Sequence, residues 1–132
     1  MNAYSQVKIN HIAVYVEDIS ASGQFYKNVV GLQEIDEPFN DGLHLWYDIG
    51  GGAALHLIER EEPWPNPTID KTNHLCFSVE DMNAFTTRLE NAGISYQDWP
   101  GNEGEITTRT DGILQIYLQD PSGYWLEINN DH

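Results

Sequence analysis

Four side chains of the kinds that ligate transition metals recur at matched places in this 132-residue chain. His11 and His74 each follow an asparagine and each opens an alternating stretch. Residues 10–19 read NHIAVYVEDI and residues 73–82 read NHLCFSVEDM, five identities in ten at an offset of 63. His56 and Glu127 correspond by a second offset, 71, which also pairs Leu43 with Leu114, Trp46 with Tyr117, Gly52 with Gly123, Leu55 with Leu126 and Leu57 with Ile128. Imidazole and carboxylate suit Zn, Ni, Mn, Co or Fe, and four protein donors leave one or two positions for water or a substrate. A single histidine on a strand is ordinarily part of a hydrogen-bonded framework. Ligand-type residues at both copies of a repeat point instead to a divalent metal ion, held by His11, His56, His74 and Glu127.

The elements that must position these donors follow from the same repeat. In the first strand of each copy, Ile12, Val14 and Val16 alternate with His11, Ala13 and Tyr15, and Leu75, Phe77 and Val79 alternate with His74, Cys76 and Ser78. The period of two therefore sends both histidines to the face opposite the apolar one. In the last strands Leu55 and Leu57, or Leu126 and Ile128, face the helix side, which sends His56 and Glu127 to the open face. Asp18 and Asp81 are N-cap residues for helices whose apolar positions are Ile19, Ser22, Phe25/Tyr26 and Val29 in one copy and Met82, Phe85, Leu89 and Ala92 in the other; Gly31 and Gly93 end them. With first strands at 8–16 and 72–79, further strands are expected near 33–37, 43–49 and 53–59, and near 95–99, 113–119 and 124–129. Turns are marked by Gly50-Gly51-Gly52 and Asp120-Pro121-Ser122-Gly123. The order βαβββ, read twice, gives an α+β fold: two tandem modules, 7–60 and 71–130, forming a cupped mixed sheet with helices on the outer face. They make one domain over 1–132, with 61–70 a stiff linker around Pro63, Pro65 and Pro67. The second copy is longer between helix and third strand, and Gln97 to Gly112 is a candidate lid.

Composition narrows the partners. Against 21 Asp and Glu stand 6 Lys and Arg, a formal charge of −15, which repels nucleic-acid backbones and anionic membrane surfaces. No apolar run approaches the roughly 20 residues of a membrane span. Cys76 is the single cysteine, so no intrachain disulfide forms, and its expected state is a small buried hydrophobe. The first residues lack the apolar stretch of a signal peptide, and the expectation is a cytoplasmic protein. His44 is expected at the rim of the open face.

Three segments carry a resemblance: HIAVYVED at 11–18, FYKNVVGL at 25–32 and DPSGYWLE at 120–127. Together with the repeat they resemble the vicinal oxygen chelate superfamily, which includes glyoxalase I and the bleomycin and fosfomycin resistance proteins, and the likeness covers nearly the whole chain. The resemblance implies paired βαβββ units around one divalent metal that chelates two adjacent oxygens of a substrate. Carried over residue by residue, it implies ligands at His11, His56, His74 and Glu127, with His56 where glyoxalase I has a glutamate. It also implies a homodimer, because the superfamily often closes its cup between chains. Glu127 is then the natural base. Tyr117 and Gln115, inward by parity, would orient substrate oxygens. Arg60, with the strand parity of His56, and Arg109 would meet one anionic group, while Trp46 offers aromatic surface. Glyoxalase I resemblance would want an arginine where Tyr15 stands and an asparagine where Arg60 stands, so glutathione recognition is not expected. The function implied is a metal-dependent glyoxalase-like lyase or isomerase acting on a small molecule with vicinal oxygens. Two alternatives stand beside it: extradiol-type dioxygenase chemistry at Fe(II) through His11, His74 and Glu127, and a non-catalytic protein that binds a drug or metabolite.

Overall fold

Each copy of the repeat folds onto its own sheet. The computed structural model describes residues 7–132, and the chain divides into two compact units between Trp64 and Pro65, inside the proline-rich segment. Unit 1 runs β1 (His11–Val16), α1 (Ile19–Gln24), a wider helical continuation over Phe25–Val30, β2 (Gln33–Ile35), β3 (His44–Gly50) and β4 (Ala53–Glu59). Unit 2 runs β5 (His74–Ser78), α2 (Met82–Asn91), β6 (Thr107–Thr108), β7 (Leu114–Gln119) and β8 (Trp125–Asn129). The sheets are mixed and four-stranded, ordered β1-β4-β3-β2 and β5-β8-β7-β6. In both, the first strand lies parallel to the last and the remaining pairs are antiparallel. The helix supplies the long connection that a parallel pair requires. This is the α+β architecture of tandem βαβββ modules.

Register decides which side chains share a face. Ala13 lies beside His56 and His11 beside Ala54, so both histidines emerge on one face of unit 1. Cys76 beside Glu127 and His74 beside Trp125 repeat the arrangement in unit 2. The opposite faces form the cores: Val16, Leu55 and Leu57 in unit 1 and Ile116, Leu126 and Ile128 in unit 2 have essentially no exposure. Each such side chain contributes about 1.5–3 kcal/mol of transfer free energy.

Both predicted caps form. Asp18 Oδ1 accepts from the Ser20 and Ala21 amides at 2.9 and 3.1 Å, and Asp81 Oδ1 accepts from Ala84 at 2.9 Å. The first helix departs from the expected single α-helix. After Gln24 its hydrogen bonding widens, and Phe25, Tyr26 and Val30 are the buried side chains. A 3.6-residue period would carry the buried face from Phe25 and Tyr26 to Val29; the wider turn, in which the Gly31 amide reaches the Tyr26 carbonyl, carries it to Val30 instead. Gly31 closes it at φ +92°. Earlier in the helix, Gly23 meets the sheet directly. A Cβ there would lie 2.5 Å from Leu45 Cδ1, and the Tyr47 hydroxyl donates to the Gly23 carbonyl at 3.0 Å.

Two other expectations are corrected. The strand expected at 95–99 is reduced to isolated bridges at Gln97, which exchanges both backbone hydrogen bonds with Tyr117 and also pairs with Glu103, and the outermost strand is Thr107–Thr108. The reason is Asp98, whose Oδ1 accepts from the Gly101 and Asn102 amides at 2.9 and 2.7 Å and turns the chain after one pair. Cys76 is exposed on the open face rather than buried, as its parity with His74 requires. Among the described residues no helix is long and apolar enough to cross a membrane.

Candidate functional site

In unit 2 the open face converges on a carboxylate. Glu127, only 7% exposed, follows from the tight turn in which Asp120 Oδ1 accepts from the Ser122 and Tyr124 amides and launches β8. Register sets Tyr117 on one side of it and Cys76 on the other. Glu127 Oε1 accepts from the Tyr117 hydroxyl at 2.8 Å. Its Oε2 accepts from Cys76 at 3.0 Å and from Asn129 Nδ2 at 2.9 Å, and Gln115 adds a further side-chain donor. Burial alone raises a carboxyl pKa; here the donors from Cys76, Tyr117, Asn129 and Gln115 outweigh it and hold Glu127 below its ordinary value. Such a carboxylate is a good ligand and a restrained base. The converse is seen in its partners. Cys76 is exposed as a residue but its sulfur is partly buried against Glu127; that partial burial and the Glu127 carboxylate push the thiol up to about 12, and burial with the same carboxylate keeps the Tyr117 phenol protonated.

His74 completes the cluster. Its Nδ1 lies 2.8 Å from the Lys71 carbonyl, which can only accept, so in the neutral ring Nδ1 carries the proton and Nε2 presents a lone pair. That Nε2 stands 3.5 Å from Glu127 Oε1. Two acceptors facing each other at this distance call for a proton or a cation between them. A backbone carbonyl on the far ring nitrogen is the outer contact that ligating histidines use.

Unit 1 arranges its pair differently. The His11 and His56 rings stack at 4.2 Å with planes 9° apart, and Trp46, the cross-strand partner of His56, stacks on the latter at 3.8 Å and 1°. Burial first, then the neighbouring His11 and His44, lowers the His56 pKa and favours the neutral ring. Parallel rings aim their lone pairs side by side, so joint ligation by His11 and His56 requires one ring to rotate. The donor chemistry of both pairs, neutral imidazole and ionised carboxylate, fits a divalent ion. Among the described residues no group of three or more His, Cys, Asp and Glu is placed to hold a metal; each unit supplies a pair.

The other residues expected at the site divide into two groups. Trp46, Tyr117 and Gln115 touch the expected ligands. Arg60 pairs with Glu62 at 3.0 Å, and Arg109 makes a bidentate pair with Asp111 and reaches Asp131, so both guanidinium groups already have carboxylate partners. His44 bonds Asp41 at 2.9 Å and lines a cavity of about 440 Å³ with Tyr15, Ile58 and Arg60. Sequence reasoning missed Lys71. Its ammonium lies over the rings of Tyr117, Trp125 and Trp99 at 4.9, 5.1 and 5.3 Å. Nothing in the sequence near Lys71 signals this, since the three rings come from distant segments.

Comparison with known proteins places this geometry. The sequence model of the Glyoxalase/Bleomycin resistance protein/Dioxygenase superfamily matches residues 8–128. "Glyoxylase I 4" of Arabidopsis thaliana is 30% identical over 133 aligned positions, covering 98% of this chain and 74% of its own length. Among solved structures, "Oxidase ChaP-H2" superposes with a TM-score of 0.76 at 28% identity, covering 96% of this chain and 94% of that one. A glyoxalase/dioxygenase from Nostoc punctiforme does so at 0.75 and 25% identity, covering 100% and 96%. With the paired βαβββ units, the matched ligand-type residues and this near-complete coverage, the chain belongs to the glyoxalase/bleomycin resistance protein/dioxygenase superfamily, the vicinal oxygen chelate proteins.

Proposed function

We propose that this protein is a metal-dependent enzyme of the glyoxalase type, a lyase or isomerase acting on a small molecule with vicinal oxygens. His11, His56, His74 and Glu127 would hold one divalent ion of the Zn, Ni, Mn, Co or Fe class. The observation that carries the reading is the facing pair of acceptors, His74 Nε2 and Glu127 Oε1 at 3.5 Å, with Nδ1 already committed to a carbonyl. A bound ion would polarise the adjacent substrate oxygens and acidify the C–H between them. Glu127, the sole acidic residue on β5, β7 and β8, would accept that proton. Tyr117 holds the carboxylate oxygen in place and stays protonated, and Gln115 steadies the same group. The prior engagement of Arg60 and Arg109 by carboxylates supports a substrate other than a glutathione adduct, whose two carboxylates want free bidentate donors. We propose a homodimer in solution.

Elemental analysis of freshly purified protein tests the reading, with about one ion per chain expected. Failure to retain or take up Mn, Fe, Co, Ni or Zn, together with a His74→Ala variant that melts like the parent with and without metal, would refute it. Efficient turnover of the methylglyoxal–glutathione adduct would remove the substrate restriction, and light scattering decides the dimer. The likeness to an oxidase favours a second reading, oxygenase chemistry at Fe(II). Oxygen uptake with a vicinal-diol aromatic in the presence of Fe(II), and none with the other metals, would select it.

A further inference from the structure

Lys71 occupies an unusual place for a cation in so acidic a chain. All three of its ammonium protons have acceptors: Gln97 Oε1 at 3.1 Å, the Asp98 carbonyl at 2.8 Å and the Trp99 carbonyl at 2.9 Å. It also lies over the Tyr117, Trp125 and Trp99 rings. With every donor spent it is not poised to bind an anionic ligand. Its backbone carbonyl meanwhile takes the His74 Nδ1 proton, from a turn fixed by Asp70, whose side chain accepts from the Thr72 amide and hydroxyl and whose carbonyl accepts from Asn73. One residue thus touches both the expected ligand and the segment that packs on Tyr117, where the Trp99 ring sits 5.2 Å from the phenol ring at 61°.

We infer that Lys71 is a positioning residue of the unit 2 site: its ammonium latches the Gln97–Trp99 segment over Tyr117, and its carbonyl sets the His74 tautomer from the same turn. The inference rests on the reading of His74, Tyr117 and Glu127 as the site. The segment from Gln97 to Gly104 is in consequence a fixed wall. Besides the latch, it is tied by the Gln97–Tyr117 bridge, by the Asp98 cap and by the Gly104 amide on the Tyr96 carbonyl at 2.8 Å. Burial in this nest lowers the lysine pKa, and nearby Asp98 opposes the shift; cation–π contact favours the charged form as well.

Amide hydrogen exchange and the ¹⁵N shifts of the His74 ring, measured on the metal-free full chain, test the latch. In Lys71→Met the Gln97, Asn102 and Gly104 amides should exchange about tenfold faster, the change expected when a desolvated cation–π contact is lost. The amides of α2 should stay within about twofold, and the His74 Nδ1-protonated population should fall. Lys71→Arg, which keeps the charge over the rings, should recover most of the protection. Trp99→Leu, at a position 45% exposed and so tolerant of change, should open the same amides. Unchanged exchange in both Lys71→Met and Trp99→Leu, uniform acceleration of all amides, or an Arg variant no better than Met would overturn the inference. None of these readings needs a metal, so failure of the metal assignment shows separately in elemental analysis.

Discussion

Unit 1 and unit 2 place corresponding residues in the same register and give them opposite surroundings. Trp46 stands across from His56 as Tyr117 stands across from Glu127. The histidine is enclosed by ring faces, His11 on one side and Trp46 on the other. The carboxylate is enclosed by donors from Tyr117, Cys76, Asn129 and Gln115. An aromatic residue is needed beside each donor, but a ring that supports an imidazole does so with its face, and a ring that supports a carboxylate does so with its hydroxyl. The two halves therefore differ as matched pairs, Trp with His and Tyr with Glu, and the frame tolerates either pair because both occupy the face away from the core.

The comparison breaks most sharply at Glu127. With the metal occupancy fixed, Glu127→Gln should lower kcat/KM on a confirmed substrate about 10²–10⁴-fold, the usual range for a lost general base, and more than it weakens substrate binding. Retained activity would assign Glu127 to structure alone. Next in size is stability. Glu127→Ala leaves four donors facing a void and should cost about 2–3 kcal/mol in urea denaturation. His56→Ala strips only a stacked face and should cost about 1 kcal/mol. Equal losses would erase the distinction between the two environments.

Acid sharpens the contrast further. His56 has a folded pKa below its ordinary 6.5, so its contribution to stability is whole above that value and is lost as pH falls through the folded one. Glu127, lowered from 4.5, behaves the same way in the carboxylate range. Urea midpoints should thus show a first decline below 6.5 that His56→Gln removes and a second below 4.5 that Glu127→Gln makes shallower, the lowered carboxyls of Asp41, Asp70, Asp98 and Asp111 supplying the remainder. A single decline at lower pH in every variant would contradict the His56 assignment. The smallest effect is expected at Trp46, whose Nε1 is buried with no hydrogen-bond partner among the described residues. Trp46→Phe keeps the stack and deletes an unpaired donor, so stability should stay within about 0.5 kcal/mol.

The features legible in the sequence were those written in a period or a cap. Strand alternation sorted His11, His56, His74 and Glu127 to the open faces, and Asp18, Asp81, Gly31 and the Asp120 turn stood where the structure uses them. Four features were illegible, each for a physical reason. Val29 holds the regular helical position after Phe25 and Tyr26, but the helix widens there and buries Val30 in its place, a shift that no apolar spacing announces. Ser95 to Trp99 has strand composition, but the Asp98 side chain competes for the backbone after one pair, while the true outer strand, Thr107–Thr108, is too short to show a period. Lys71 reads as a solvated charge beside a proline-rich segment because its acceptors and rings lie 26 or more positions away. The stacking of His56 on Trp46, and the ring rotation that ligation then requires, depend on side-chain torsions that no spacing encodes.

The thiol at position 76 has a consequence for handling and labelling. An exposed cysteine ordinarily invites alkylation and oxidation, but only the thiolate reacts. With its pKa near 12, about one molecule in ten thousand carries the reactive form at pH 8. Storage in air should leave the protein free of sulfenic acid and of disulfide-linked pairs. The same reluctance makes maleimide a gauge: any event that opens the sulfur to water and draws the Glu127 carboxylate away from it speeds labelling, and the rate of modification reports that event in a plain mass spectrum.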